Sequence, residues 1–214
     1  MGNPWLDIPL ADYEGHMALP DVGQARMLGD IFADLLREYA PASVAVLGCA
    51  GGNGLERISS AVTKRVVAVD VNPAYVEATR ARFAGCISGL ELLAGDIQSD
   101  AVTFPPVAFV FAALLFEYVD VDVTLRRIRA LLTRDGVLAS VVQLPSASTC
   151  AVTPSLFTSL QKLAPGMRLV PPARLHELAK SAGFAQTAAR VDQADGGKQF
   201  AVQTFRCRDS QVSD

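Results

Sequence analysis

The sequence predicts an α/β fold with seven strands in a mostly parallel sheet, helices on both faces and an antiparallel hairpin at the C-terminal end. Three observations carry that prediction. From residue 43 to residue 143, short apolar and β-branched runs alternate with segments of helical period, the rhythm of right-handed strand–helix–strand crossovers. Residues 107–116 form an unbroken apolar run, about half of what a membrane helix requires and suited to a strand buried on both faces. The last two strand-like runs, 185–191 and 200–206, flank Asp195-Gly196-Gly197, a turn signal that joins neighbouring strands without a crossover.

The elements follow in order. The first twenty residues keep neither period and are broken by Pro4, Pro9 and Pro20, yet they hold the single Trp, Tyr13, His16, Asp12 and Glu14. Such residues in an aperiodic stretch predict a flap folded over something. Asp21 as N-cap, with Ile31, Leu35 and Leu36 at helical spacing, predicts a helix that Pro41 stops. Strand 43–47 runs into Gly48-Cys49-Ala50-Gly51-Gly52-Asn53-Gly54, after which Leu55, Ile58 and Val62 predict a helix. Strand 65–69 ends at Asp70, and Asn72-Pro73 opens a helix over 75–83, with Pro73 suited to the first turn. Strand 90–94 ends in Gly95-Asp96. Strand 107–112, helix 123–132, a turn at Asp135-Gly136 and strand 137–143 follow. Beyond Pro145, residues 155–163 and 172–182 read as helices. The chain therefore divides into a flap and helix (1–40), a main domain (41–208) with an insertion at 145–172, and a polar tail (209–214).

Composition narrows the function. The 214 residues are 50% hydrophobic and 19% charged, the balance of a chain that folds alone as one domain. Its net charge of −3, from 19 Lys and Arg against 22 Asp and Glu, gives no basis for general nucleic-acid binding. Arg126, Arg127, Arg129 and Arg134 alternate with Leu125, Ile128, Leu131 and Leu132, the pattern of a wet helix face. Four scattered cysteines without a CxxC pair, and two histidines, predict free thiols and no metal site. No export signal or membrane segment is visible, so a cytoplasmic protein is expected.

Two features carry chemistry. The glycine-rich segment 48–54 follows a strand, where glycines admit positive φ and let a ligand approach the backbone, although a tight turn alone would use them too. Asp70 lies 22 positions beyond Gly48 (70 − 48) and can accept both hydroxyls of an adenosine ribose, or cap the following helix. The spacing fits neither GxGxxG nor GxxxxGK[ST], which argues against a nicotinamide oxidoreductase and a P-loop nucleotidase. A carboxylate at Asp96 with Ile97 beside it could meet an adenine edge, or simply close a strand-end turn. No GxSxG is present, and Ser146 and Ser148 lack partners for a nucleophilic triad.

The order of glycine loop, Asp70, Gly95-Asp96-Ile97, the 107–116 strand and a final antiparallel strand resembles the class I S-adenosylmethionine-dependent methyltransferases over roughly residues 40–206. The resemblance implies a Rossmann-like sheet and S-adenosyl-L-methionine as methyl donor. It places Gly48, Cys49, Ala50 and Gly52 around the methionine end, Asp70 on the ribose, and Val71, Asp96 and Ile97 on the adenine. It further implies that 111–119, including Leu114, faces the methyl group and acceptor. Two departures stand out: Ala50 occupies a family glycine position, and Val46 the acidic position before the loop. Phe116-Glu117-Tyr118 stands where a histidine pair is common.

Methyl transfer from a sulfonium needs alignment and desolvation more than a general base, so no catalytic residue is assigned. Tyr13 is expected on the cofactor, and His16, Glu117 and Tyr118 on the acceptor. The compact acidic chain predicts a small-molecule acceptor, no nucleic acid or membrane partner, and a monomer or homodimer. The alternative is a non-catalytic cofactor- or partner-binding module on the same scaffold.

Overall fold

A computed structural model describes residues 3–146 and 150–208; Ser148 and the predicted tail 209–214 lie outside them. Its sheet has seven strands in the order β3-β2-β1-β4-β5-β7-β6. They are β1 (Ser43–Leu47), β2 (Arg65–Asp70), β3 (Leu90–Ala94), β4 (Val107–Ala113), β5 (Leu132–Gln143), β6 (Phe184–Gln193) and β7 (Gln199–Cys207). The first five pair in parallel, and β7 runs antiparallel between β5 and β6. Among the described residues five α-helices surround the sheet: α1 (Leu10–Ala18), α2 (Gln24–Tyr39), α3 (Pro73–Phe83), α4 (Val121–Leu131) and α5 (Pro172–Ser181).

Alternation along each strand sorts the core into two layers. Ala45, Leu47, Val67, Val69 and Val110 pack in the layer that holds Leu125, Ile128 and Leu131 of α4 and Leu175 and Ala179 of α5. Val44, Val46, Val66, Ala68 and Phe111 share the other with Leu28, Ile31, Phe32 and Leu35 of α2. Phe32 stacks on Phe111 with centroids 4.6 Å apart. Fully burying such a side chain contributes about 1.5–3 kcal/mol. Helix starts use local caps: the Asn72 side chain accepts from the Ala74 N–H at 2.9 Å, and Asp120 from the Val123 N–H at 2.9 Å.

Four sequence expectations change. No α-helix follows the glycine segment; Leu55–Arg57 makes one 3₁₀ turn, Ile58 is extended and Val62 is exposed. Gly52 and Gly54 hold φ of 87° and 90°, outside the helical range, and Phe32 of α2 comes within 3.2 Å of where a Gly54 Cβ would stand. α2 thus covers the sheet where the expected helix would lie. Asp21 is not the cap of α2, because Val22 and Gly23 close a turn onto the Leu19 carbonyl and the helix begins after Gly23, at φ 60°. Asp135-Gly136 is not a turn between helix and strand. β5 runs through it, with a register irregularity against β4 between Val107 and Phe109. Residues 155–163 form a 3₁₀ segment, Thr158–Leu163, in place of an α-helix.

Candidate functional site

A cleft crosses the sheet at the C-terminal ends of the parallel strands, the position at which α/β sheets bind ligands. Measured out through its open mouth it spans about 1080 Å³. The floor comes from strand ends in sheet order: Asp96 and Ile97 after β3, Asp70 and Val71 at β2, Gly48 and Ala50 after β1, Leu114 after β4, and Gln143 at the end of β5.

Asp70 organises this floor. Its carboxylate accepts the Ala50 N–H at 2.8 Å on one oxygen and the Asn72 N–H at 2.9 Å on the other, tying the glycine loop to the start of α3. Each oxygen retains acceptor capacity. Burial raises the pKa of this carboxyl, and backbone N–H groups pull it back. The loop is pinned again by N–H groups of Gly48 and Cys49, which donate to the Val69 carbonyl at 2.9 and 3.0 Å. Gly48 has φ 72°, and Ala50 sits at φ 48°. The left-handed region costs a residue with a Cβ about 1–2 kcal/mol, so Ala50 carries strain that a glycine there would not. Leu114 also has a positive φ, 53°, and its N–H donates to the Val141 carbonyl at 2.8 Å, turning the chain across the cleft after β4.

The N-terminal segment lies over this floor. Asn3, Trp5, Tyr13, His16 and Met17 line the cleft from above, and Tyr118 and residues of the 150–167 segment complete it. Trp5 meets Tyr13 and Tyr118 edge-on, with centroids 5.6 and 5.0 Å apart. Three contacts latch the flap to α3 and its start. Asn72 Nδ2 donates to the Trp5 carbonyl at 2.9 Å, Tyr75 Oη to the Ile8 carbonyl at 3.0 Å, and Arg82 pairs with Glu14. Flap and insertion join through Ser159 Oγ, which donates to Asp12 at 2.6 Å, and through His16 Nδ1, 2.9 Å from Ser155 Oγ. Burial and the nearby Lys198 charge lower the His16 pKa, leaving the ring neutral at pH 7.

Of the predicted cofactor residues, Tyr13, Gly48, Ala50, Asp70, Val71, Asp96, Ile97 and Leu114 line this cleft. Cys49 and Gly52 do not. The Cys49 side chain is buried, with its thiol pushed up to about 12 by burial and by Asp70. Gly52 is turned toward Phe83 of α3. Among the predicted acceptor residues, His16 and Tyr118 line the cleft, whereas Glu117 lies behind its wall. Glu117 is 1% exposed, and its Oε1 accepts the Gln143 N–H at 2.7 Å. Val46 lies in the apolar layer facing α2, where an ionised acid would be desolvated.

Gln143 and Lys198 are among the cleft residues that were not anticipated. Gln143 ends an apolar strand with a polar group, as Asp70 does, and that pattern could have flagged it. Lys198 follows a Gly-Gly turn and reads in sequence as an ordinary solvated hairpin lysine, yet it is 4% exposed. Among the described residues no three His, Cys, Asp or Glu are placed to hold a metal ion. Among the described residues no helix is long and apolar enough to cross a membrane.

Comparison with known proteins agrees with this geometry. Residues 44–136 match a family model described as a methyltransferase domain. No curated protein matches the sequence. Among solved structures, the chain is similar to the N-methyltransferase NodS from Bradyrhizobium japonicum WM9, with TM-score 0.63 and 16% identity over 86% of this chain and 96% of that one. It is similar to magnesium protoporphyrin IX methyltransferase (ChlM) from Synechocystis PCC 6803 with bound SAH, at TM-score 0.66 and 12% identity over 87% and 84%. The cyclase SpnF gives TM-score 0.65 and 14% identity over 86% and 82%. At these identities the likeness is one of fold.

Proposed function

We propose, from the premise that this chain carries a methyltransferase domain on the class I S-adenosylmethionine-dependent fold, that it transfers the methyl group of S-adenosylmethionine to a small-molecule acceptor. The observation that carries this reading is the buried Asp70 carboxylate on the cleft floor, with acceptor capacity left on both oxygens after it has tied two loops together. That capacity suits a pair of vicinal hydroxyls. Val71 and Ile97 offer apolar contact beside Asp96, as an adenine would require. Gly48 offers backbone free of a Cβ, and the space where its Cβ would stand meets only Leu115, at 3.7 Å.

The donor supplies an activated, electrophilic methyl group. The chain's own residues supply alignment and dryness. The pinned loop and Leu114 fix the floor, while the Trp5–Tyr13–Tyr118 cluster covers it with aromatic surface that excludes water. His16, neutral at pH 7 and held by Ser155, stands on the acceptor side as a wall residue able to accept a hydrogen bond or a proton. A small acceptor fits because the roof closes over the cleft.

Isothermal titration with S-adenosylhomocysteine tests the reading, and saturable one-site binding is expected. Asp70→Asn should weaken that binding by about 10- to 100-fold, equivalent to the roughly 1.5–3 kcal/mol of a hydrogen bond to a charged group. Unchanged affinity in this variant, or no binding by the wild-type protein, would overturn the assignment.

A further inference from the structure

Lys198 is the one Lys or Arg among the described residues that line the cleft. Its side chain comes in from the β6–β7 hairpin. The hairpin tip docks on the α1–α2 connection so closely that a Cβ on Gly196 would stand 1.8 Å from the Asp21 carbonyl oxygen. Arg26 and Asp195 pair across the same contact at 2.6 Å. This docking buries Lys198 beside the cleft. Its Nζ donates to the Ala151 carbonyl at 2.7 Å, an acceptor shared with Gln143 Nε2 at 3.1 Å. Among the described residues no carboxylate forms an ion pair with it. An ammonium has three donors, and one neutral acceptor leaves two of them and the charge unanswered.

Sheet order says which ligand could answer them. The residues suited to the methyl donor stand at β3, β2 and β1, whereas Lys198 precedes β7, three strands beyond β1. At about 4.8 Å per strand that is roughly 14 Å from the loop after β1, on the acceptor side. The same cleft offers apolar surface from Leu160, Leu163 and Met167, and His16 adds no second cation because its ring is neutral at pH 7. One cation matches one negative charge. A phosphate monoester, at about −1.5 to −2, would leave charge uncompensated in a buried site.

We propose that Lys198 recognises the acceptor by its carboxylate, so that the substrate class is a small carboxylic acid on an apolar body. The inference rests on the methyl-transfer reading for the word acceptor, but its test does not. The probes are 3-phenylpropionate, its amide and phenyl phosphate, titrated into the protein with and without S-adenosylhomocysteine. Wild-type protein should bind the acid at least about tenfold tighter than the amide, and tighter than phenyl phosphate. Lys198→Met should abolish that gap, and Lys198→Arg should keep it. Both variants should hold S-adenosylhomocysteine as wild type does, which also shows that they fold. The proposal is overturned if wild type binds the acid no better than the amide, binds neither at millimolar concentration, or prefers phenyl phosphate. It is equally overturned if Lys198→Met keeps the preference, or if that variant loses affinity for S-adenosylhomocysteine, which would put the lysine on the donor. Failure of wild type to bind S-adenosylhomocysteine at all would sink the methyl-transfer reading, while the acid–amide gap on the free protein would still report on Lys198.

Discussion

The Glu117 carboxyl accepts the Gln143 N–H with one oxygen, has no partner for the other, and is pushed up to about pKa 7 by burial. Its unfolded value is about 4.3. Between those values the native state holds a proton that the unfolded state has released, so stability falls as pH rises through this window. Glu117→Gln retains a carbonyl acceptor for the Gln143 N–H and removes the ionisation. The variant should therefore melt at a higher temperature than wild type at pH 8, and the gap should shrink toward pH 5. Melting curves at the two pH values read this directly, and a constant difference would show that Glu117 ionises freely in the fold. Asp70 was legible in the sequence because its position after a strand and its distance from Gly48 are covalent facts. Glu117 was legible as an acid near the site. Its side was not, because the turn that follows Leu114 at φ 53° carries it behind the wall.

At the scale of elements, α1 packs on the insertion through a glycine. A Cβ on Gly15 would stand 2.3 Å from Phe157 Cζ, within the ring's own space. In an exposed helix, Gly→Ala stabilises by up to about 1 kcal/mol. Here Gly15→Ala should instead push α1 and the insertion apart, weakening S-adenosylhomocysteine binding several-fold and leaving the main melting transition nearly in place. Titration and calorimetry on the same sample separate the two effects, and unchanged affinity would mean that the ring swings aside. The strands were legible because runs such as 107–113 are apolar enough to demand burial on both faces. The helix expected after Gly54 was not excluded by sequence, since Leu55, Ile58 and Val62 do keep a helical spacing. What overrides it is tertiary: α2, earlier in the chain, already fills that side of the sheet with Phe32 and Leu28. Asp135-Gly136 misleads for the same kind of reason, because a turn dipeptide is absorbed into β5 as an irregularity beside β4.

The whole molecule joins an extensive sheet core to a thinner roof. The two layers on the sheet share β1, β2, β4 and β5, while the third cluster has Ile8, Leu160 and Leu163 as its buried residues, with Trp5, Tyr13, Tyr118, Val152 and Phe157 against it. The general architecture and the mildly acidic balance were legible because both depend on averages over the chain. The end of the cleft around Lys198 was not. It is assembled from segments near residues 16, 143, 151 and 198, whose proximity depends on the hairpin docking onto the α1–α2 connection.

That thin roof has a consequence for how the protein breathes. Regions with few buried apolar contacts open locally at a fraction of the free energy of global unfolding. The flap and insertion are therefore expected to exchange amide hydrogens as one cooperative unit, ahead of β4 and β5, and to slow together when S-adenosylhomocysteine is added. Hydrogen exchange followed by mass spectrometry resolves the two populations; a flap protected as strongly as β4 would mean that the cleft exchanges ligands only through its mouth. On this view the rate at which the cleft takes in and releases its ligands is set by the latch of Asn72, Tyr75 and Arg82, and can be retuned without touching a residue of the floor.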